Sequence, residues 1–222
     1  MPAPRTTPLR PADEAPGSTG LTRESIVDAA AELIDAEGFE ALTMRRLAER
    51  CGVGAMTLYG YFRTKEELLA ALGDRALSGV ELPAEQGQTW QEQVTEVFRS
   101  VRRTFIEHPE LAQIVATQPI DGVAAYRGAE VVFAAFERAG LDDEQAVAAF
   151  EALTSFTAGF TLREAARASR PEQSGERLGR IQSLPADEFP HVVGLAGLLA
   201  SRDLEQRFEE GLAMLIRGME SR

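Results

Sequence analysis

Few residues in this chain are equipped for covalent or metal chemistry, and their spacing argues against it. His108 and His191 are the only histidines; neither has a zinc-type partner four residues on, or a cysteine nearby. The single cysteine, Cys51, falls on the apolar stripe of a short helix and reads as a small core residue, not a redox sensor. The run GVGAMT, 52–57, resembles a nucleotide-binding loop, but it lacks the G-x-G-x-x-G spacing and a preceding strand. No enzyme, no cofactor and no metal site is expected. What remains is chemistry for holding phosphate. Residues 41–65 carry Arg45, Arg46, Arg50, Arg63 and Lys65 against one acid, Glu49, in a 222-residue chain whose net charge is -12. A local basic island on an acidic protein suits one nucleic-acid contact and excludes a general nucleic-acid coat protein.

Those cations sit on two short helices joined by a tight turn. Leu47, Ala48 and Cys51 share one face of the first helix, and Gly52 ends it at low steric cost. Val53 plugs the turn from inside. Ala55, Leu58 and Phe62 then recur at helical spacing. With that stripe inward, Gly54, Met56, Thr57, Gly60 and Tyr61 face out. Thr64-Lys65-Glu66-Glu67 reads as a capping box that opens the next helix. The pair has the form of a helix-turn-helix, whose second helix lies in the DNA major groove. Arg45 has the fork that suits guanine, and Met56 and Thr57 can touch a thymine methyl.

The remaining pattern is helical throughout. A helix over 22–37 carries Ile26, Ala30, Leu33 and Ile34 inward and stops at Gly38; another runs over 65–77. Residues 79–89 read as a linker without period. Trp90, Val94, Val97, Val101 and Phe105 mark a long amphipathic helix, broken at His108-Pro109. Further helices are expected over 109–118, 124–139, 142–168, 190–199 and 204–219, with a loop over 169–187. No strand alternation occurs, so the fold class is all-α. No run approaches 18 apolar residues, and the first 20 residues, with five prolines, read as a disordered arm without a signal-peptide core. One cysteine fits a reducing, cytoplasmic setting. Phe208, Leu212, Leu215 and Met219 are many large apolar groups for a last helix. With Phe150 and Leu153 of the long helix, they are expected to form a dimer interface.

The stretch LTRESIVDAAAELIDAEGFEALTMRRLAERCGVGAMTLYGYFRTKEELLAAL resembles the DNA-binding domain of the TetR family of bacterial transcriptional regulators, and TLYGYFRTKEELL is a specific signature. TWQEQV, HPELAQIVATQP and SFTAGFTLREAA resemble, more loosely, the family's tetracycline-responsive regulatory half. The resemblance implies three parts: the arm, 1–20; a DNA-binding domain, 21–78; and a helical regulatory and dimerisation domain, 90–222. It implies a homodimeric, ligand-responsive repressor on a near-palindromic double-stranded operator, with helix 65–77 as a lever. An activator, or a helical interaction protein without DNA binding, is the alternative. Thr43, Tyr59, Tyr61 and Lys65 match positions that hold phosphates in the family, and Arg46, Gly54 and Ala55 complete the expected DNA site. The family's metal-contacting histidine matches Ile114 or Val115, neither of which ligates magnesium. The expected effector is therefore small and apolar, held by Val101, Thr104, Phe105, His108, Ile114, Thr117, Gln118, Phe133, Phe136, Phe156 and Phe160.

Overall fold

The computed structural model describes residues 20–83, 87–118, 120–168, 174–201 and 203–220. The expected arm lies outside them, except for Gly20. The described residues form twelve α-helices and no strand. The chain divides into two compact units, Met1–Tyr61 and Phe62–Arg222.

The first unit holds α1 (Arg23–Glu37), a 3-10 turn (Phe39–Ala41), α2 (Met44–Arg50) and α3 (Ala55–Tyr61). A reciprocal box starts α1: Thr22 Oγ1 accepts from the Ser25 N–H, and Ser25 Oγ from the Thr22 N–H. Ile26, Ala30 and Leu33 of α1 and Leu42, Leu47 and Leu58 after it are all buried and make up the core of this unit. That core fixes the outward faces of α2 and α3. Gly52 takes φ +67, the left-handed conformation that lets the chain turn between them. Cys51, expected in the core, is only half-buried because α2 ends one residue earlier and Cys51 sits in its cap. Desolvation by this partial burial raises its thiol pKa, against a smaller lowering by the Arg50 charge.

The second unit begins with α4 (Lys65–Leu77). Thr64 caps it by accepting from the Glu67 N–H at 3.1 Å. The expected box is not reciprocal: Glu67 Oε2 instead accepts from the Arg63 N–H at 2.8 Å. There follow α5 (Trp90–Glu107), α6 (Pro109–Thr117), α7 (Val123–Ala139), α8 (Asp143–Ala168), α9 (Ser174–Gln182), α10 (Pro190–Gly194), α11 (Ala196–Ser201) and α12 (Leu204–Glu220). The expected loop over 169–187 is corrected by α9, whose sequence SGERLGRIQ is too charged to announce itself as a core helix. The expected helix over 190–199 is two, parted at Leu195.

The core of this unit is shared by α5 (Val94, Val97, Phe98), α7 (Val132, Ala135, Phe136), α8 (Ala149, Leu153) and α12 (Phe208, Leu212, Ile216). Phe208 stacks on Phe156 at 5.4 Å and meets Phe160 edge-on at 5.5 Å. The Arg102 guanidinium lies 4.9 Å over the same ring and grips Glu164 with two nitrogens, Nη2 at 2.9 Å from Oε1 and Nε at 3.2 Å from Oε2. A dimer interface is expected at Phe150, Leu153, Phe208, Leu212, Leu215 and Met219, and within the single chain these residues already have contacts of their own. Leu153, Phe208 and Leu212 are fully buried within one chain, and the other three pack against its core. Among the residues that α8 and α12 leave exposed are Val147, Ala148, Ala152, Met214 and Gly218.

Candidate nucleic-acid interface and effector cavity

In the first unit, Thr43 caps α2 by accepting from the Arg46 N–H at 3.2 Å, which orients the helix start. Arg45 projects from this first turn with 87% of its side chain exposed, and it forms an i,i+4 pair with Glu49 at 3.1 Å. Arg46 and Arg50 are committed differently: Arg46 pairs with Glu37, and Arg50 with Glu32 at 2.9 Å, both on α1. Two of the five cations thus brace the head. Along α3, Met56 is 82% exposed, and Thr57, Tyr59 and Gly60 are exposed beside it. Gly54 is exposed and Ala55 half-buried. Tyr61, read as outward, is half-buried because its hydroxyl donates to the Leu21 carbonyl at 3.0 Å. Lys65 opens α4 in the second unit. The surface that α2 and α3 present carries the Arg45 guanidinium, the most exposed of the three on α2, a flexible thioether and small or hydroxylated groups, which suits a groove.

In the second unit, α4, α5, α6, α7 and α8 line a cavity of about 440 Å³. Phe98, Val101, Phe105 and Phe150 form its large apolar walls, with Val97, Val115 and Ile120. Opposite them α7 offers only Ala124, Ala125, Gly128 and Ala129, so the space is left by small side chains. Leu77 of α4, then Val80 and Leu82, close another side; the supposed linker is a wall, fastened where the Glu81 N–H donates to Ser100 Oγ at 3.0 Å. Gln118, Glu151 and Thr154 are the polar lining.

Of the eleven expected ligand residues, Val101, Phe105 and Gln118 line this cavity. Ile114 and Phe136 are fully buried core, and Phe133 packs on Phe136 and Phe150. Phe156 and Phe160 fill space around Phe208 instead. Thr104 turns its hydroxyl to the Ser100 carbonyl, and Thr117 to that of Gln113. His108 is exposed, its Nδ1 3.6 Å from Glu110. The missed signal was the small-residue face of α7, at 124, 125, 128 and 129, a helical spacing like any apolar stripe.

The cavity wall is tied to α4 by a cap that α7 does not supply itself. Gly122 has no side chain, and Asp74 Oδ1 of α4 accepts from the Ala125 N–H at 2.9 Å. A Cβ on Gly122 would lie 1.9 Å from the Asp74 carboxyl carbon, so the glycine makes room for the borrowed cap. Asp74→Ala is expected to cost about 0.5–2 kcal/mol, read as a lower unfolding midpoint. Gly122→Ala should destabilise too, by forcing the carboxylate off the helix end. Midpoints matching the parent protein for both would show that the cap contributes nothing.

A helix-turn-helix head followed by an all-helical unit with an internal apolar cavity defines a class, the DNA-binding regulators. Residues 26–72 match the family described as bacterial regulatory proteins, tetR family, and residues 82–222 match the tetracyclin repressor-like C-terminal domain. The chain is 31% identical to an HTH-type transcriptional regulator of Saccharopolyspora erythraea, over 95% of this chain and 89% of that protein. It is also 31% identical to the class D tetracycline repressor of Escherichia coli, over 90% and 89%. It superposes on the crystal structure of ActR from Streptomyces coelicolor in complex with actinorhodin at a TM-score of 0.84 and 35% identity, covering 92% of this chain and 100% of that one. The chain belongs to the TetR family of bacterial transcription regulators; it is a DNA-binding regulator, not an enzyme. No helix among the described residues is long and apolar enough to cross a membrane.

Proposed function

We propose that the chain acts as a homodimeric repressor whose hold on a near-palindromic operator is released by a small molecule in the cavity of the second unit. The carrying observation is that α4 is part of the cavity: Leu77 lines it, and Asp74 caps the helix that forms its opposite wall. A ligand that fits one position of α4 better than another shifts that equilibrium by its difference in affinity, and by no more. The mostly apolar lining favours an apolar body, and its one carboxylate, without histidine or cysteine, favours binding that needs no metal. ActR, in the structure above, holds actinorhodin, which supports the ligand-responsive reading.

For the dimer, the favoured surface is the outer face of α8 and α12. A shallow groove runs there between Ala148 and Ala152 of α8 and Leu215, Gly218 and Met219 of α12. Exposed Val147 and Met214 add apolar area on the same two helices. A second copy laid two-fold on this face would make a four-helix contact and hold two heads for two half-sites.

Within each head, Arg45 is the proposed base reader, with Thr43, Tyr59 and Lys65 on phosphates and Met56 and Thr57 at thymine methyls. Binding to the DNA upstream of the gene should be measured by fluorescence anisotropy. Arg45→Ala should weaken it by about 1–3 kcal/mol and relax preference at one base position. Unchanged affinity and preference would remove Arg45 from the reading face.

A further inference from the structure

We infer that Glu151 makes the cavity selective for an effector bearing a protonated amine on an apolar, ring-based body. This rests on the reading of the cavity as the effector site and adds the chemical class of its occupant. Among the seventeen lining residues Glu151 is the only charged one, and only Gln118 and Thr154 join it as polar. Among the described residues no ion pair or hydrogen bond engages the Glu151 carboxylate, whereas Glu164, thirteen residues along the same helix, is gripped by Arg102. The side chains of Gln118 and Thr154 are likewise without a hydrogen bond among the described residues. Three uncommitted polar groups on an otherwise apolar wall are what orient a ligand by a few contacts.

The charge sets the sign of the preference. The Glu151 carboxylate is exposed in the single chain, so it attracts a cation across the cavity mouth and repels an anion, and the chain's net charge of -12 adds to both effects. An amine placed there keeps part of its hydration, so it need not be stripped of water as it would be in a closed core. The remainder of the cavity sets the shape. Phe98, Phe105 and Phe150 face the small residues of α7, which leaves room for a ring system against aromatic walls. At Gly128 a Cβ would meet nothing within 4 Å, and its backbone is not in the left-handed region. A larger side chain there would fill the cavity without straining the helix.

The test uses three fluorescent probes with one ring and three charges: 9-(aminomethyl)anthracene, 9-anthracenemethanol and 9-anthracenecarboxylate. Each is titrated at pH 7 against the full chain and against Glu151→Gln and Gly128→Leu, with circular dichroism confirming that both variants are folded. In the parent protein the amine should bind about fivefold tighter than the alcohol, the advantage of one solvent-exposed ion pair, and the carboxylate should bind weakest. Glu151→Gln should bring the amine-to-alcohol ratio to about one, and added salt should do the same in the parent. Gly128→Leu should abolish binding of all three. Probes that bind and are blocked by Gly128→Leu, yet show no amine preference or keep it in Glu151→Gln, would overturn the selectivity alone. No binding by any probe, or binding that Gly128→Leu leaves untouched, would overturn the cavity reading and the selectivity with it.

Discussion

Val147→Asp combined with Met214→Asp is expected to turn the protein into a monomer that no longer holds its operator. Both side chains are exposed in the single chain, at 50% and 63%, so neither substitution disturbs the core. Any loss therefore comes from the surface they occupy. Aspartates on both helices would set two pairs of like charges against each other across a two-fold contact, besides removing its apolar area. A dimer binds its second half-site as an intramolecular event. Losing that linkage should weaken operator binding by about 10²–10⁴-fold, more than any single contact residue would. Sedimentation velocity reads the mass and anisotropy the affinity. A double variant that still sediments as a dimer would exclude this face, and a monomer with unchanged operator affinity would exclude the two-headed mechanism.

Phe208→Ala is the second large effect, and it acts within one chain. The ring is fully buried, stacked on Phe156, edge-on to Phe160 and covered by the Arg102 guanidinium. Removing it leaves a cavity, strips two aromatic rings of their partner and uncovers one face of an ion pair that is only 11% and 20% exposed. The expected cost is about 3–5 kcal/mol. Trp90, the only tryptophan, lies in the same unit, so its fluorescence in a urea titration reports the loss. Met214→Ala, on the outer side of α12, should stay within about 0.5 kcal/mol in a monomeric background. Equal costs at the two positions would mean that the faces of α12 have been assigned the wrong way round. In the sequence both residues belong to one amphipathic helix, yet they predict opposite outcomes: one unfolds the chain, the other separates chains.

That contrast also marks how far the sequence reaches. The helices of the head and α4 were legible from period and punctuation, because their apolar stripes are bounded by local signals: Thr64 caps the start of α4, and Gly38 and Gly52 end the helices before them. A helix-turn-helix packs on itself within about 40 residues, so sequence neighbours are also spatial neighbours. The all-α class, the break at Pro109 and the stop at Gly140 were legible for the same local reason.

Tertiary structure decided whatever depends on partners far along the chain. The stripe of Phe208 and Leu212 announces a buried face, but helical periodicity does not say whether the cover is α5 and α8 of the same chain or a second copy. Phe208 and Leu212 are fully buried by the same chain, and the exposed Val147 and Met214 belong to the surface proposed for a partner. The lining of the cavity was legible only at Val101, Phe105 and Gln118, for a related reason. Large apolar residues were taken as its lining, but Ile114, Phe136, Phe156 and Phe160 fill space rather than leave it. The opening lies where Gly128 and the alanines of α7 come opposite Phe98 and Phe150, a meeting of three helices that no single-helix pattern contains. The Asp74 cap on α7 was equally invisible, since a helix end capped across 51 residues has no local sequence signature.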